Sequence, residues 1–393
     1  MNMNNKNWVS VWGNAVSIAE HHPEAYAKYI TLRYPVYIPF DGDTLRFTFD
    51  NYCGSEAVTV TRATVSAATS PVYEKMPLAC PCKKETICDI TFSKNESVTM
   101  EAHQTAVSDP VSFPVKKGMT LTVSLYFADF TLMQSAVLVA GPLSKGFFSL
   151  GDQTHADALP MDTTKTTNWF YFLSNIELMT AEENHTVICY GDSITAGAWP
   201  DYLTLLAKQN PDNHTAFIRR ATSGSRVLRQ YECITYDSYG LKGTNRFPHE
   251  IPTTGADTVI IQQGINDIIH PIGIETNPFR PMSDLPTAKE LIDGYRYYIE
   301  EAKKLHLKVY MGTLLPIFGW RTYATFRDDL RNELNAWIRS AKEIDGCIDF
   351  DLALRGSENP SAFREGFDSG DHLHPSSKAY QAMAECAYEV LRK

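Results

Sequence analysis

Hydrophobic positions follow two rhythms along the 393 residues of this chain. From Tyr29 to about Leu132, apolar and polar residues alternate in short runs broken by Gly, Asp or Pro: Y-P-V-Y-I-P-F, T-L-R-F-T-F-D, A-V-T-V-T-R-A-T-V and L-T-V-S-L-Y-F. A period of two sends successive side chains to opposite faces of a pleated strand. The pattern therefore predicts antiparallel strands, arranged as a β-sandwich or jelly roll with little helix. After about Glu182 the apolar runs become nearly continuous, as T-V-I-C-Y, A-F-I-R-R-A, T-V-I-I-Q-Q, K-V-Y-M-G-T-L and C-I-D-F. Such runs suit parallel strands buried on both faces. Between them lie amphipathic stretches of helical period, from Trp199, from about Ala288 to Lys304, from about Phe326 to Lys342, and from Ser376 to the C-terminus. Alternating strand and helix predicts a three-layer α/β domain with a parallel sheet, whose ligands sit at the carboxyl ends of the strands. The expected division is a strand-rich domain over residues 1–183 and an α/β domain over residues 184–393.

Composition narrows the classes of function. Hydrophobic residues make up 44% and charged residues 21%, which is material for a packed core and argues against disorder. With 46 acidic against 36 basic residues the net charge is −10, and no Lys and Arg cluster stands out to neutralise a phosphate backbone, so nucleic acid is not an expected partner. No apolar run is long enough to span a bilayer, and M-N-M-N-N-K-N-W-V-S-V-W lacks the basic start and apolar stretch of a secretory signal. The expectation is a cytoplasmic chain with no membrane partner, although an export signal already removed would leave the same N-terminus. Eight cysteines are scattered, and only Cys80, Cys82 and Cys88 are close together. C-x-C-x5-C could hold a soft metal, but no nearby His or second Cys pair completes a zinc pattern, so reduced cysteines in or beside strands are expected.

Candidate chemistry collects at the predicted sheet edge. Gly191, Asp192 and Ser193 follow the first strand of the α/β half. A phosphate-binding turn is disfavoured there, because G-D-S-I-T-A-G lacks the lysine of a phosphate loop and places an acid where phosphate would sit. Ser193 could be no more than a helix N-cap. Three further stretches bear on that choice. S-G-S-R-V-L puts Gly224 after the second strand with an unobstructed backbone N–H, and Q-Q-G-I-N-D-I puts Gly264 and Asn266 after the third. Asn266 could be a turn residue or a donor to a developing oxyanion. D-S-G-D-H-L-H-P-S-S-K-A-Y places Asp371 and His374 three apart before the last helix. At that spacing a carboxylate can hold one ring N–H while the other nitrogen serves a serine as base. His372 competes for the base role and Asp368 for the orienting role.

Taken together, these four blocks resemble the SGNH hydrolases, also called GDSL esterases and lipases: G-D-S-I-T at Ser193, the glycine block at Gly224, G-x-N-D from Gly264 to Asp267, and D-x-x-H-P from Asp371 to Pro375. The resemblance covers about residues 184–393 and implies a flavodoxin-like fold. It also implies Ser193 as nucleophile, His374 as general base and then acid, and Asp371 as the orienting carboxylate. By the same resemblance the oxyanion hole is formed by the backbone N–H groups of Ser193 and Gly224 with the side-chain amide of Asn266, while Asp192 and Asp267 hold loop geometry. The first half is similar to the β domain that precedes the catalytic domain in a bacterial subgroup of the family, through W-V-S-V-W-G-N-A, S-D-P-V-S-F-P-V and G-D-Q-T-H. E-N-H-T-V-I-C-Y-G-D-S-I-T and D-S-G-D-H-L-H-P are shared with that subgroup too.

The resulting expectation is a serine esterase that forms an acyl-enzyme, requires no metal or organic cofactor, and acts on a short-chain, chiefly acetyl, ester of a sugar or oligosaccharide. Trp199, Trp320, Tyr323 and Phe367, together with Phe318, lie in or beside loops that could surround a cleft and stack on sugar rings, although aromatic residues in such loops are more often packing. A lipase, thioesterase or arylesterase would keep the same chemistry on another substrate. A carbohydrate-binding protein with an inactive α/β domain is the alternative from another class, and four intact blocks argue against it.

Overall fold

The computed structural model describes residues 6–19 and 25–392. The residues at either end of the two expected domains, 1–5 and 393, lie outside that range. The chain divides into two compact units, Met1–Thr186 with Pro211–Ile218, and Val187–Asn210 with Arg219–Lys393.

The first unit is strand-rich. One sheet pairs Leu173–Ala181 antiparallel with both Lys6–Gly13 and Gly42–Asp50. Another centres on Thr120–Phe127, which pairs antiparallel with Ile30–Tyr37 and with Arg62–Ala67. Phe47, Phe49, Tyr34, Val36, Val123 and Phe127 fill the core. The alternation in L-T-V-S-L-Y-F predicts one polar face, yet all eight residues of Thr120–Phe127 are buried. Distant partners make that possible by satisfying the polar atoms. Arg33 Nε donates to Ser124 Oγ at 2.9 Å, and the hydroxyls of Ser66 and Thr122 are 2.5 Å apart. Arg33 is itself buried and is held by the carbonyls of Cys80, Gln153 and Ala156. All eight cysteines are free thiols, and among the described residues no group of three or more His, Cys, Asp or Glu side chains could hold a metal ion. Burial raises the Cys80 thiol to about 12, which leaves it an inert core group.

The sheet of the C-terminal half has the strand order Thr215–Ala221, His185–Gly191, Ala256–Gln262, Lys308–Gly312, Gly346–Ile348. Ala256–Gln262 pairs parallel with Lys308–Gly312, and that strand pairs parallel with Gly346–Ile348. The order therefore steps outward in both directions from His185–Gly191, and in open α/β sheets ligands bind at the carboxyl ends of the strands where the chain path reverses. Among the described residues eight α-helices accompany the sheet: α1 (Ser193–Ala196), α2 (Trp199–Lys208), α3 (Gly243–Glu250), α4 (Ile265–Ile269), α5 (Ala288–Lys304), α6 (Thr325–Ser340), α7 (Phe350–Leu354) and α8 (Ser377–Leu391). Two starts follow simple capping chemistry. Thr287 and Glu290 form a capping box at α5, and Ser376 Oγ accepts the Ala379 N–H at α8. Among the described residues no helix is long and apolar enough to cross a membrane.

Candidate active site

Ser193 is the first residue of α1, directly after the strand His185–Gly191. The turn between them needs glycine: a Cβ on Gly191 would lie 2.3 Å from the Gln262 carbonyl oxygen and 2.4 Å from Thr195 Oγ1. The buried Arg246 of α3 braces the turn, with Nη2 donating to the Gly191 carbonyl at 2.8 Å and Nη1 paired to Glu250 at 2.9 Å. Asp192, not Ser193, caps α1 by accepting the Ile194 N–H at 3.0 Å. The hydroxyl of Ser193 is thus left for another partner.

That partner is His374. Its Nε2 is 2.9 Å from Ser193 Oγ, and its Nδ1 is 2.6 Å from Asp371 Oδ2. An ionised Asp371 accepts the Nδ1–H, so Nε2 faces the serine as an acceptor. The loop sets this arrangement locally: Asp371 Oδ1 accepts the N–H groups of Leu373 at 3.0 Å and His374 at 2.8 Å. Burial pushes the Asp371 carboxyl up, but the hydrogen bonds from the His374 ring and from these two N–H groups outweigh it and hold the group at about 2. The competing pair is built alongside, with His372 Nδ1 2.5 Å from Asp368 Oδ2. It is His374 that meets Ser193.

Asn266 and Gly224 complete the geometry. Asn266 sits in the first turn of α4 and is buried, with Nδ2 donating one N–H to the Ser225 carbonyl at 3.1 Å. The same Nδ2 amide carries a second N–H. Asp267 beside it accepts the N–H groups of Val227 at 2.8 Å and Leu228 at 3.1 Å, so two neighbouring side chains of α4 grip the loop after Gly224. Gly224 has φ +78°, and a Cβ there would lie 2.3 Å from the Tyr239 ring. Gln263 adds a third grip, with Nε2 donating to Ser225 Oγ at 2.9 Å while Oε1 accepts the Tyr298 hydroxyl. Ser193, as the first helical residue, has a backbone N–H with no acceptor inside its helix. Ser193, His374 and Asp371 thus form one hydrogen-bonded set, and Ser193 and Asn266 both lie in the short helices that follow strands of the sheet.

The GDSL-like Lipase/Acylhydrolase family matches residues 189–382. This part of the chain belongs to the GDSL family. Solved structures similar to the chain include a GDSL-like lipase from Bacteroides thetaiotaomicron, at 20% identity over 54% of this chain and 89% of that one, with a TM-score of 0.40. An acetylxylan esterase from Geobacillus stearothermophilus is 16% identical over 52% and 93% of the two chains, at a TM-score of 0.39. A member of the lipolytic G-D-S-L family from Veillonella parvula is 18% identical over 53% and 99%, at 0.36. No significant match is found among curated proteins.

Two of the aromatic residues expected to stack on substrate are core residues of the GDSL domain. Trp199 is 0% exposed: its ring packs on Phe350 with centres 5.5 Å apart, and its Nε1 donates to Thr195 Oγ1 at 3.3 Å. Phe367 is 3% exposed beneath Arg364, whose guanidinium carbon lies 3.7 Å from the ring centre. Its carbonyl accepts the Ser376 N–H, so Phe367 supports the loop that carries His374. Both sit next in sequence to loops, but their rings point into the packing. Trp320, Tyr323 and Phe318 differ. Trp320 and Tyr323 are part-exposed, and Phe318 is 47% exposed with its ring edge-on to Tyr323 at 5.1 Å. A Cβ on Gly319 would meet the His372 ring at 2.7 Å, which puts this segment against the histidine loop. Sequence reasoning missed Tyr239, which carries no motif, and Gln263, whose place inside Q-Q-G-I-N-D could have signalled it.

Burial shifts the two acids of the motifs in the same direction. Burial pushes the Asp192 carboxyl up to about 7, against the Ile194 N–H and the Arg246 charge, and its Oδ2 has no hydrogen-bond partner. Burial likewise pushes Asp267 up to about 6 despite the two N–H groups it accepts. A carboxyl that binds its proton more tightly in the folded than in the unfolded chain adds stability in acid, and that contribution fades as pH rises from about 4 through the folded value. Asp192→Asn cannot titrate, so its melting temperature should fall less than that of the wild type between about pH 4 and about pH 7. Thermal melts across that range check this, and parallel curves would mean that Asp192 gives up its proton at the same pH in the folded as in the unfolded chain.

Proposed function

We propose that the GDSL domain hydrolyses carboxylic esters through an acyl-enzyme on Ser193, and that its substrates are short-chain, chiefly acetyl, esters of sugars or oligosaccharides. The observation that carries this reading is the unbroken hydrogen-bonded relay from Ser193 Oγ through His374 to Asp371. As Oγ bonds the acyl carbon, its proton passes to His374 Nε2, and the resulting imidazolium is stabilised by the carboxylate of Asp371. The carbonyl oxygen becomes an oxyanion that accepts the N–H groups of Ser193 and Gly224 and the second amide N–H of Asn266. His374 then returns the proton to the leaving alcohol. In the second half a water gives its proton to His374, attacks the acyl carbon and releases the acid with Ser193 restored. Every proton is accounted for by these residues, so the cycle calls for no metal or organic cofactor. On the same terms we read the strand-rich unit as a jelly-roll-like β-sandwich and the GDSL domain as three-layered and flavodoxin-like.

The case for a short acyl group rests on where the apolar side chains go. The segment G-T-L-L-P-I-F-G-W holds the apolar residues that could have walled an acyl groove, but Leu314, Leu315 and Ile317 are all fully buried in the core. The chain between Gly224 and α3 is rich in tyrosine, and Tyr231, Tyr236 and Tyr239 pack on one another there. Each methylene gains roughly 0.8 kcal/mol only where apolar surface receives it. In a series of aryl esters kept below micelle-forming concentrations, kcat/KM should be highest for acetyl and butyryl and fall steeply by about eight carbons. Efficiency that climbs steadily with chain length would replace this reading with a lipase.

A further inference from the structure

Beside Gly224 the GDSL domain buries more positive charge than it pairs. Segments 226–239 and 270–284 bring together Arg226, Arg280, Tyr231, Tyr236, Tyr239 and His270. Arg226 is buried and paired, its Nη1 lying 3.2 Å from Asp284 Oδ2, and Arg229 shares that carboxylate at 3.5 Å. Arg280 is 6% exposed, and its Nε is buried without a hydrogen-bond partner. Among the described residues no carboxylate forms an ion pair with Arg280. Its neighbours are rings: the guanidinium carbon lies 4.4 Å from the centre of Tyr236, 5.7 Å from Tyr231 and 6.0 Å from Tyr239. His270 offers no negative charge either. Burial and the charges of Arg280, Arg226 and Arg321 keep its imidazole neutral, well below the usual histidine range.

The location matters as much as the charge. The Tyr239 ring lies against Gly224, so the cluster borders the place where the acyl oxygen is to sit. A buried cation without a counter-ion is costly, and an anion that arrives with the substrate relieves that cost. A guanidinium stacked on an aromatic ring keeps its plane fixed and its N–H fork free at the edge, which suits two oxygens of a carboxylate or phosphate. In a chain of net charge −10, this local excess of positive charge is also what would draw an anionic ligand to one spot.

We propose that Arg280, with Arg226 beside it, forms an anion subsite next to the oxyanion hole, and that the preferred esters carry a carboxylate or phosphate on the sugar or alcohol. This deepens the esterase reading, on which it rests for the ester but not for the anion.

The test uses the full chain and three O-acetylated probes: a methyl glucuronoside, the corresponding glucuronamide, and glucose 6-phosphate. Acetate release is followed for the wild type, Arg280→Met and Arg280→Lys. The wild type should favour the acid over the amide in kcat/KM by about tenfold or more, mainly through KM, the size expected of one hydrogen-bonded charge pair. Arg280→Met should bring that ratio to about one, and Arg280→Lys, which keeps the charge but loses the fork, should retain part of it. A preference for the phosphate probe over the glucuronoside assigns phosphate as the group recognised. Calorimetric titrations with glucuronate and with inorganic phosphate read the anion without turnover, and binding should be lost in Arg280→Met. If Arg280→Met fails to fold, the wild-type acid-to-amide ratio and titrations decide. A wild type that treats acid and amide alike and binds neither anion overturns the subsite, and acetate release from the amide would then leave the esterase reading standing. Anion binding without acetate release from any probe would do the reverse.

Discussion

Ser193→Ala and His374→Ala should each nearly abolish ester turnover while the melting temperature stays close to that of the wild type. Nucleophile and base act as one unit, so the double variant should be little worse than either single one, and losses on the order of 10⁴ to 10⁶ in kcat are the expected scale. The relay explains why: His374 Nε2 lies 2.9 Å from Ser193 Oγ, and without it the hydroxyl has no acceptor for its proton. Neither side chain is needed for folding, because Asp192 caps α1 and the histidine loop is held by Asp371 and by the Ser376 hydroxyl, which donates to the Gly366 carbonyl at 2.8 Å. Asp371→Asn should cost less than either, since a neutral amide still occupies the place of the carboxylate but no longer supports the imidazolium. Steady-state kinetics on an aryl acetate check these outcomes. Full loss in His372→Ala with activity kept in His374→Ala would transfer the base role to the neighbouring pair.

The second large effect is expected at Asn266. Removing one preorganised oxyanion donor typically costs about 10² to 10³ in turnover, so Asn266→Ala should lower kcat on that scale with little change in KM. The effect is tied to fixed geometry. Asn266 is pinned by its bond to the Ser225 carbonyl, and the loop that presents Gly224 is tied down through Val227 and Leu228 to Asp267. A donor held this way costs no reorganisation when charge develops on the acyl oxygen. An unchanged kcat with a raised KM would instead make Asn266 a residue that binds the ground state.

Much of the α/β half could be read from the chain because its strands are short apolar runs and its long helices carry their own punctuation. The stretches expected from Ala288 to Lys304 and from Ser376 onward correspond to α5 and α8, and both starts have local caps. The short helices α1, α4 and α7 span four or five residues, too few for a helical period to show. In the strand-rich half, Thr120–Phe127 reads as half-exposed because its polar residues find partners far along the chain, as Ser124 does in Arg33. The same limit governs the site. D-x-x-H spacing allows an Asp371–His374 pair, and it equally allows His372 with Asp368, since both are local contacts. Which histidine reaches a serine 181 residues away is a property of the sheet edge that brings the two loops together. Trp199 and Phe367 look like cleft residues for the converse reason, since the partners that bury the first, Phe350 above all, are distant in sequence. Arg280 carries no motif, and its missing counter-ion appears only once every neighbour is in place.

Labelling with a fluorophosphonate, followed by mass spectrometry of the digested protein, tests the central claim most directly. The account predicts one adduct, on the peptide containing Ser193, formed rapidly by the wild type and greatly slowed in His374→Ala, with none in Ser193→Ala. A folded wild-type protein that takes up no adduct at Ser193, or takes it up equally fast without His374, would contradict it.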